Sequence, residues 1–297
     1  MMRNIIYIFA VFFILTGFSS VYSQRNPTPN APGPQHIFES RLFIADPVIF
    51  YNKNNSDSRL DLYISIPYHS LQFAKDEGTG DNYSANIQYD INIKNASDSV
   101  VISEFKEMKI TEKYDSKVLK RASKILVNNY FLPAGKYIIN ITLTDNGTLK
   151  VYSSQYNVEV LNNSGKEIYS SDLLLLKDYS KNSDGKASIT PMINNDVGRS
   201  KFYYIFYEVY NSSSDEINRE ISYEFKSNDN LISSKKQTYT LQPGTNVIAE
   251  KFSSIKFEEE SFVLVVKDNS GKVLTSKFLI NRPLIIEPQT RIFPPQF

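Results

Sequence analysis

From Leu60 the chain alternates. Leu60, Leu62, Ile64 and Ile66 fall on one side, and Asp61, Tyr63, Ser65 and Pro67 on the other. A repeat of two is the mark of a strand with one face against a core. Just before it, 46–51 is a short apolar run, and 52–58 is Asn, Ser, Asp and Lys, the chemistry of an exposed turn. Two strands joined by a loop are expected here, and the plan recurs. In 82–94, Ile87, Tyr89, Ile91 and Ile93 alternate with polar residues; a turn at 95–97 leads to Val100, Val101, Ile102 and on to Ile110. Within 115–127, Val118, Leu119, Ala122, Ile125 and Leu126 fit a helical face opposite Lys117, Lys120, Arg121 and Lys124. We read that basic face as solvated rather than membrane-seeking. An irregular segment or one helical turn is expected there, then a strand from about Lys124. Pro133, Ala134 and Gly135 make a turn before a strand over 137–144. Asp145, Asn146 and Gly147 signal a hairpin returning over 151–160.

Asn162, Asn163, Ser164 and Gly165 break the alternation and set a domain boundary. Beyond it, strands are expected at 171–176, 187–193, 201–210, 219–226 and 235–241, with a turn at Pro243 and Gly244. A closing hairpin pairs 262–267 with 272–280. It echoes the hairpin that ends the first half: an aromatic (Tyr137, Phe262), a β-branched run, Asp-Asn, a glycine and a return strand. Closely spaced strands, polar turns and no sustained helix predict an all-β chain. The expected form is two tandem immunoglobulin-like antiparallel β-sandwich domains, 37–163 and 164–281.

The amino terminus changes the picture. Residues 5–15 are apolar without a break, and Val21 and Ser23 are residues a signal peptidase accepts at the third and first positions before its cut. A signal peptide over 1–23, cleaved before Gln24, is expected. The apolar run falls short of the roughly 20 residues a spanning helix needs, so no membrane span is expected after cleavage. Residues 24–36 are proline-rich and read as an extended tether, and 282–297 as a proline-rich tail. The chain has no cysteine, which excludes disulfides, thiolate metal sites and cysteine nucleophiles. With 33 basic and 32 acidic residues it lacks the field that nucleic acid binding requires.

Three stretches carry a resemblance. The run RLFIADPVIFYNKNNSDSRLDLYISIPYHSLQF (41–73), the hairpin LPAGKYIINITLTD (132–145) and the segment SSDLLLL (170–176) resemble the amino-terminal region of GWxTD-domain proteins. The similarity spans about 41–280 and rests on the spacing of strand residues rather than on a chemical motif. It implies an exported protein of a Gram-negative bacterium, in the periplasm or at the cell surface, with no assigned activity. The Gly-Trp-x-Thr-Asp motif that names the family is absent, since the chain has no tryptophan. The resemblance therefore supplies no catalytic residue.

Residues arranged for chemistry are few. His36 and His69 are the two histidines, and neither sits in a strained Gly-x-Ser-x-Gly turn. Glu258, Glu259 and Glu260 form the densest carboxylate cluster and read as a solvated turn. Asn182 to Gly185 and Asp268 to Gly271 are fragments of a calcium loop and read first as turns. No catalytic residue, metal site or cofactor is expected. One strand is oversupplied: Phe202, Tyr204, Phe206 and Tyr210 lie on one face with Glu208, and Tyr203, Ile205, Tyr207 and Val209 on the other. A sandwich core needs one face. The other packs on the first domain or under a loop, or meets a partner, so Phe202, Tyr203, Tyr204, Phe206, Tyr207 and Tyr210 are the candidate binding residues. The functional expectation is a non-enzymatic interaction or structural module of the cell envelope, with a protein or glycan partner. The alternatives are a carbohydrate-binding module using that aromatic face, and a hydrolase with a spatially assembled carboxylate pair.

Overall fold

The computed structural model describes residues 43–52, 57–77, 80–113, 122–183, 186–253 and 259–282. The expected signal peptide, tether and most of the tail lie outside these residues, as does the segment 114–121.

The first half contains β1 (Ile44–Phe50), β2 (Ser58–Pro67), β3 (Ala74–Lys75), β4 (Asn82–Asn95), β5 (Val100–Lys113), β6 (Ser123–Leu132), β7 (Gly135–Asp145) and β8 (Lys150–Val160). They form two antiparallel sheets. Sheet 1 runs β1-β2-β6; sheet 2 runs β3-β4-β7-β8, with β5 also on β4. The second half contains β9 (Ile168–Ser170), β10 (Leu174–Lys181), β11 (Ala187–Pro191), β12 (Phe202–Asn211), β13 (Ile217–Ser227), β14 (Asn230–Leu241), β15 (Gly244–Ser253), β16 (Ser261–Asp268) and β17 (Val273–Ile280). Sheet 3 runs β11-β10-β12-β15 with β9 on β12, and sheet 4 runs β14-β13-β16-β17. The same order thus occurs twice. β1-β2-β6 over β5-β4-β7-β8 corresponds to β10-β12-β15 over β14-β13-β16-β17. This is the connectivity of an immunoglobulin-like sandwich. The first half also carries the corner that marks such folds: the Tyr137 hydroxyl, at the start of β7, donates to the Pro133 carbonyl at 2.9 Å. Phe262, its counterpart at the start of β16, fills the same kind of place by packing on Phe225.

Three apolar clusters order the layers. Between sheets 1 and 2, Leu60, Leu62, Ile64 and Ile66 meet Ile87, Tyr89, Ile91, Ile93, Ile139, Ile141 and Leu143. Between sheets 3 and 4, Tyr203, Ile205, Tyr207 and Val209 meet Ile221, Tyr223, Phe225, Leu264 and Val266. The third cluster joins the halves. Val48, Phe50 and Tyr63 on the outer face of sheet 1 bury against Leu174, Leu176 and Ile193, with Tyr204 and Phe206 beside them. The sheets therefore stack in the order 2-1-3-4. This explains why β2 is buried on both faces along Leu60 to Ile64 although its sequence alternates.

Strand β1 is the edge of sheet 1, and an edge strand leaves alternate N–H groups without a ladder partner. Each outward amide of β1, and that of Tyr51 just past its end, is accounted for. Ala45 donates to the Tyr156 hydroxyl at 3.1 Å, Ile49 to Asp172 Oδ2 at 3.0 Å and Tyr51 to the Tyr210 hydroxyl at 2.8 Å. Between them stands Pro47, which has no N–H to satisfy. Asp172 also donates its own amide to the Ile49 carbonyl at 3.0 Å. That exchange falls in the gap between β9 and β10, and the strand expected at 171–176 starts only at Leu174 and runs on to Lys181.

Several expectations are refined. The Asp145 hairpin forms, but over a longer turn in which Leu149 takes the positive φ. Buried Asp145 holds the turn by accepting from Gly147 N, Thr148 Oγ1 and Gln72 N. Strand β15 is an addition to the expected strands. Its apolar positions are sparse: Ile248 and Phe252 face the core while Val247 is exposed.

The chain's last described strand is clasped by the turn after β11. Val197 N donates to Ile280 O and Ile280 N to Asn195 O, each at 2.8 Å. Gly198 allows this approach, since a Cβ there would stand 2.6 Å from Arg282 N and 2.8 Å from Asn281 C. Backbone atoms on both sides cannot yield as a side chain would. Gly198→Ala is therefore expected to destabilise the fold by about 1–3 kcal/mol, as overpacking does. An unchanged thermal midpoint would contradict the clasp.

Candidate functional site

Strand β12 carries the aromatic residues singled out by the sequence, and the structure divides them. Tyr203 and Tyr207 point into the core between sheets 3 and 4, at 1% and 0% exposure. Tyr203 stacks on Phe252 with ring centroids 6.0 Å apart. The Tyr207 hydroxyl meets that of Tyr223 at 2.8 Å, Tyr223 meets Tyr239 at 2.8 Å, and Tyr239 donates to Glu250 Oε2 at 2.8 Å. Burial pushes the Tyr207 and Tyr223 phenols well above their ordinary range. Tyr210 is on the opposite face yet is also buried, reaching into the core of the first half. These three rings are therefore not part of an exposed face. The reason lies in the stacking: both faces of β12 are covered, one by sheet 4 and much of the other by sheet 1.

What stays open is smaller. Phe202 is 40% exposed, Tyr204 and Phe206 are half-buried, and Lys251 Nζ lies 3.9 Å over the Phe202 ring. Tyr204 leans on Tyr179 at 6.0 Å, and Phe206 meets Phe50 of β1 edge-on at 6.3 Å. The oversupplied face thus serves first as the contact with the first half.

That contact contains charges which the alternation did not reveal. Lys277 Nζ on β17 reaches both oxygens of Asp46, at 2.8 and 2.7 Å, and donates to the Leu173 carbonyl at 2.8 Å. Both side chains are about nine-tenths buried, at 11% and 10% exposure. Burial raises the Asp46 carboxyl above its ordinary range, against the pull of the Lys277 ammonium. Nearby, Tyr210 donates to Glu208, whose carboxyl burial also raises, opposed by that hydrogen bond and by the Arg59 charge. Arg59 Nε bonds Asp61 Oδ1 at 2.8 Å, and its guanidinium covers the Phe50 ring at 4.8 Å. In the sequence the joint shows as the surplus aromatic face of β12 and as two charges, Asp46 and Lys277, inside strongly apolar strands.

The other candidates remain apart. His36 and Glu258 lie outside the described residues. His69 is exposed on a short 3-10 turn, Tyr68–Ser70, and the neighbouring Ser70 hydroxyl donates to Pro67 O at 2.6 Å. The Glu259 and Glu260 carbonyls accept from Asn281. Asp268 Oδ1 accepts from Ser270 N, Ser270 Oγ and Lys272 N, the bonding of a turn. Among the described residues no group of three or more acids and histidines is placed to hold a metal ion, and no helix is long and apolar enough to cross a membrane.

A cleft of about 680 Å³ opens where the two halves meet, lined by Tyr51, Ser58, the connection 161–167, Tyr169, Ser212 and Ser213. The sequence marked that connection as a boundary and not as a wall.

No protein-family model and no curated protein matches the chain. Among solved structures it is similar to red sea bream transglutaminase, at 11% identity and a TM-score of 0.23, over 81% of this chain and 31% of that one. A calcium-binding mutant of Bacteroides uniformis β-glucuronidase 2 is similar at 9% identity and a TM-score of 0.23, over 77% and 27%. The chain thus spans about a third of the length of these proteins or less.

Proposed function

We propose that the protein is a non-enzymatic interaction module of the bacterial cell envelope, built as a stiff spacer. The observation that carries this reading is the third apolar cluster. It ties sheet 1 to sheet 3 and holds the Asp46–Lys277 bridge beneath it. Tandem sandwiches joined by a polar linker move relative to each other by default; a buried apolar joint opposes that motion. A rod of four stacked sheets presents loops and edges at fixed spacing, which is what a scaffold supplies. Two carboxylate neighbourhoods, Asp46 with Asp172 and Asp61 with Glu208, sit in this joint, where lysine, arginine and tyrosine engage them. Export rests on the apolar leader and its cleavage site, and the envelope on the resemblance to GWxTD-domain proteins.

The test is expression of the full chain with a carboxy-terminal epitope in a Gram-negative host. The expected result is a product that begins at Gln24, fractionates with the envelope and captures one envelope component reproducibly. A full-length product in the cytoplasm would overturn the reading.

A further inference from the structure

We propose that the cleft between the two halves is a binding site for a neutral oligosaccharide, distinct from the aromatic face of β12. It goes beyond the spacer reading and does not depend on where the protein resides.

The cleft is assembled by loops from both halves: the end of β1, the start of β2, the 161–167 connection and the β12–β13 turn. Loops held at one end of a rigid sandwich are where such folds place binding. Its volume, about 680 Å³, lies within the range of small-molecule sites, roughly 300–1,000 Å³.

The lining selects the chemistry. Tyr51 and Tyr169 meet edge-on at 5.8 Å, and Tyr169 stacks on buried Tyr210 at 4.8 Å with 15° between the planes. The Tyr51 hydroxyl is held by Leu161 N at 3.4 Å. These rings are fixed before any ligand arrives, so little ordering is needed on binding. The walls are amides and hydroxyls, Asn162, Asn163 and Ser212 among them. Such groups both donate and accept, as sugar hydroxyls do. The charges in the wall are already engaged. Lys166 Nζ donates to Asn163 Oδ1 at 2.9 Å, and Glu167 Oε2 meets Arg219 at 3.4 Å. The lining itself holds one cation, Lys166, and one anion, Glu167, so its formal charge is zero and selects neither an anionic nor a cationic ligand, and the one leucine in the lining, Leu161, offers little to a lipid chain. A ligand with apolar C–H faces and many neutral hydroxyls fits both surfaces.

The experiment is calorimetric titration of the mature chain with cello-, chito-, xylo-, manno- and laminarihexaose. A neutral Gly-Ser hexapeptide serves as the peptide arm. At least one hexasaccharide is expected to bind. Ser212 is exposed on the rim, so Ser212→Arg blocks the cleft without touching the core. It is expected to weaken binding by about tenfold or more, with the thermal midpoint unchanged. Tyr169→Ala should weaken it similarly, with near-ultraviolet circular dichroism reporting the fold. Phe202→Ala, on the aromatic face, should leave it intact. The proposal is overturned if no hexasaccharide binds, if binding survives Ser212→Arg, if Phe202→Ala abolishes it, or if only the peptide binds.

Discussion

Replacing Lys277 with methionine is expected to remove about 3–5 kcal/mol of stability at neutral pH, because it strands a buried carboxylate. The charge stranded is Asp46, which holds Lys277 by both oxygens and is already raised by burial. The sign of the pH dependence follows. An aspartate whose folded pKa is raised contributes stability that is complete below its unfolded value, 3.8, and lost as pH climbs through the folded value. Removing the ammonium that opposes the rise lifts the folded value further, so the loss grows. Lys277→Met should therefore approach wild-type stability near pH 4 and fall away steadily toward pH 7, measured by urea unfolding. The double variant Asp46→Leu with Lys277→Met removes both charges and should return to within about 1 kcal/mol of wild type, or exceed it. A single variant as stable as wild type at pH 7 would mean that the bridge is not buried in solution.

The alternation along Leu60 to Ile66, Ile87 to Ile93 and Tyr203 to Val209 was sufficient to read an all-β sandwich, because one buried face imposes a period of two. The echo between the Tyr137 and Phe262 hairpins was also legible, and the matching sheet order shows why: both aromatics stand near the start of corresponding strands, β7 and β16. The surplus face of β12 pointed to a contact with the first half, but not to sheet 1 as the surface that covers it. A strand covered on both faces should lose its alternation, yet the outward positions of β2 kept polar groups: Asp61 engages Arg59 and Asn129, and Tyr63 joins the third cluster. Polar residues buried by pairing look the same in sequence as polar residues in water.

The aromatic run of β12 shows the same limit. Period two separates Tyr203 and Tyr207 from Tyr204 and Phe206, but it cannot say which set is covered, nor that both are. Tyr210 sits on the outward face and ends in the core of the other half, a destination set by the neighbouring sheet. The cleft was invisible for a different reason. Asn162, Asn163 and Lys166 read as a linker, and a linker becomes a wall only when the pieces it joins are pressed together.

That pressing is itself measurable. Leu176→Asp is expected to split thermal unfolding from one calorimetric transition into two. Leu176 is fully buried in the third cluster, on the face of sheet 3 turned toward sheet 1. A carboxylate there has no cation in the cluster to pair with and opposes closure of the joint, while each half keeps its own core. The intact joint couples the halves, so a cavity in either core should lower the whole transition. Leu62→Ala, between sheets 1 and 2, and Leu264→Ala, between sheets 3 and 4, should each cost about 2–5 kcal/mol. In the Leu176→Asp background the same two changes should separate, each lowering one transition and leaving the other in place, because sites without a shared partner act independently. If Leu62→Ala already moves only one of two transitions in the otherwise unaltered chain, the halves are not joined. A spacer of fixed length could not then be built from them.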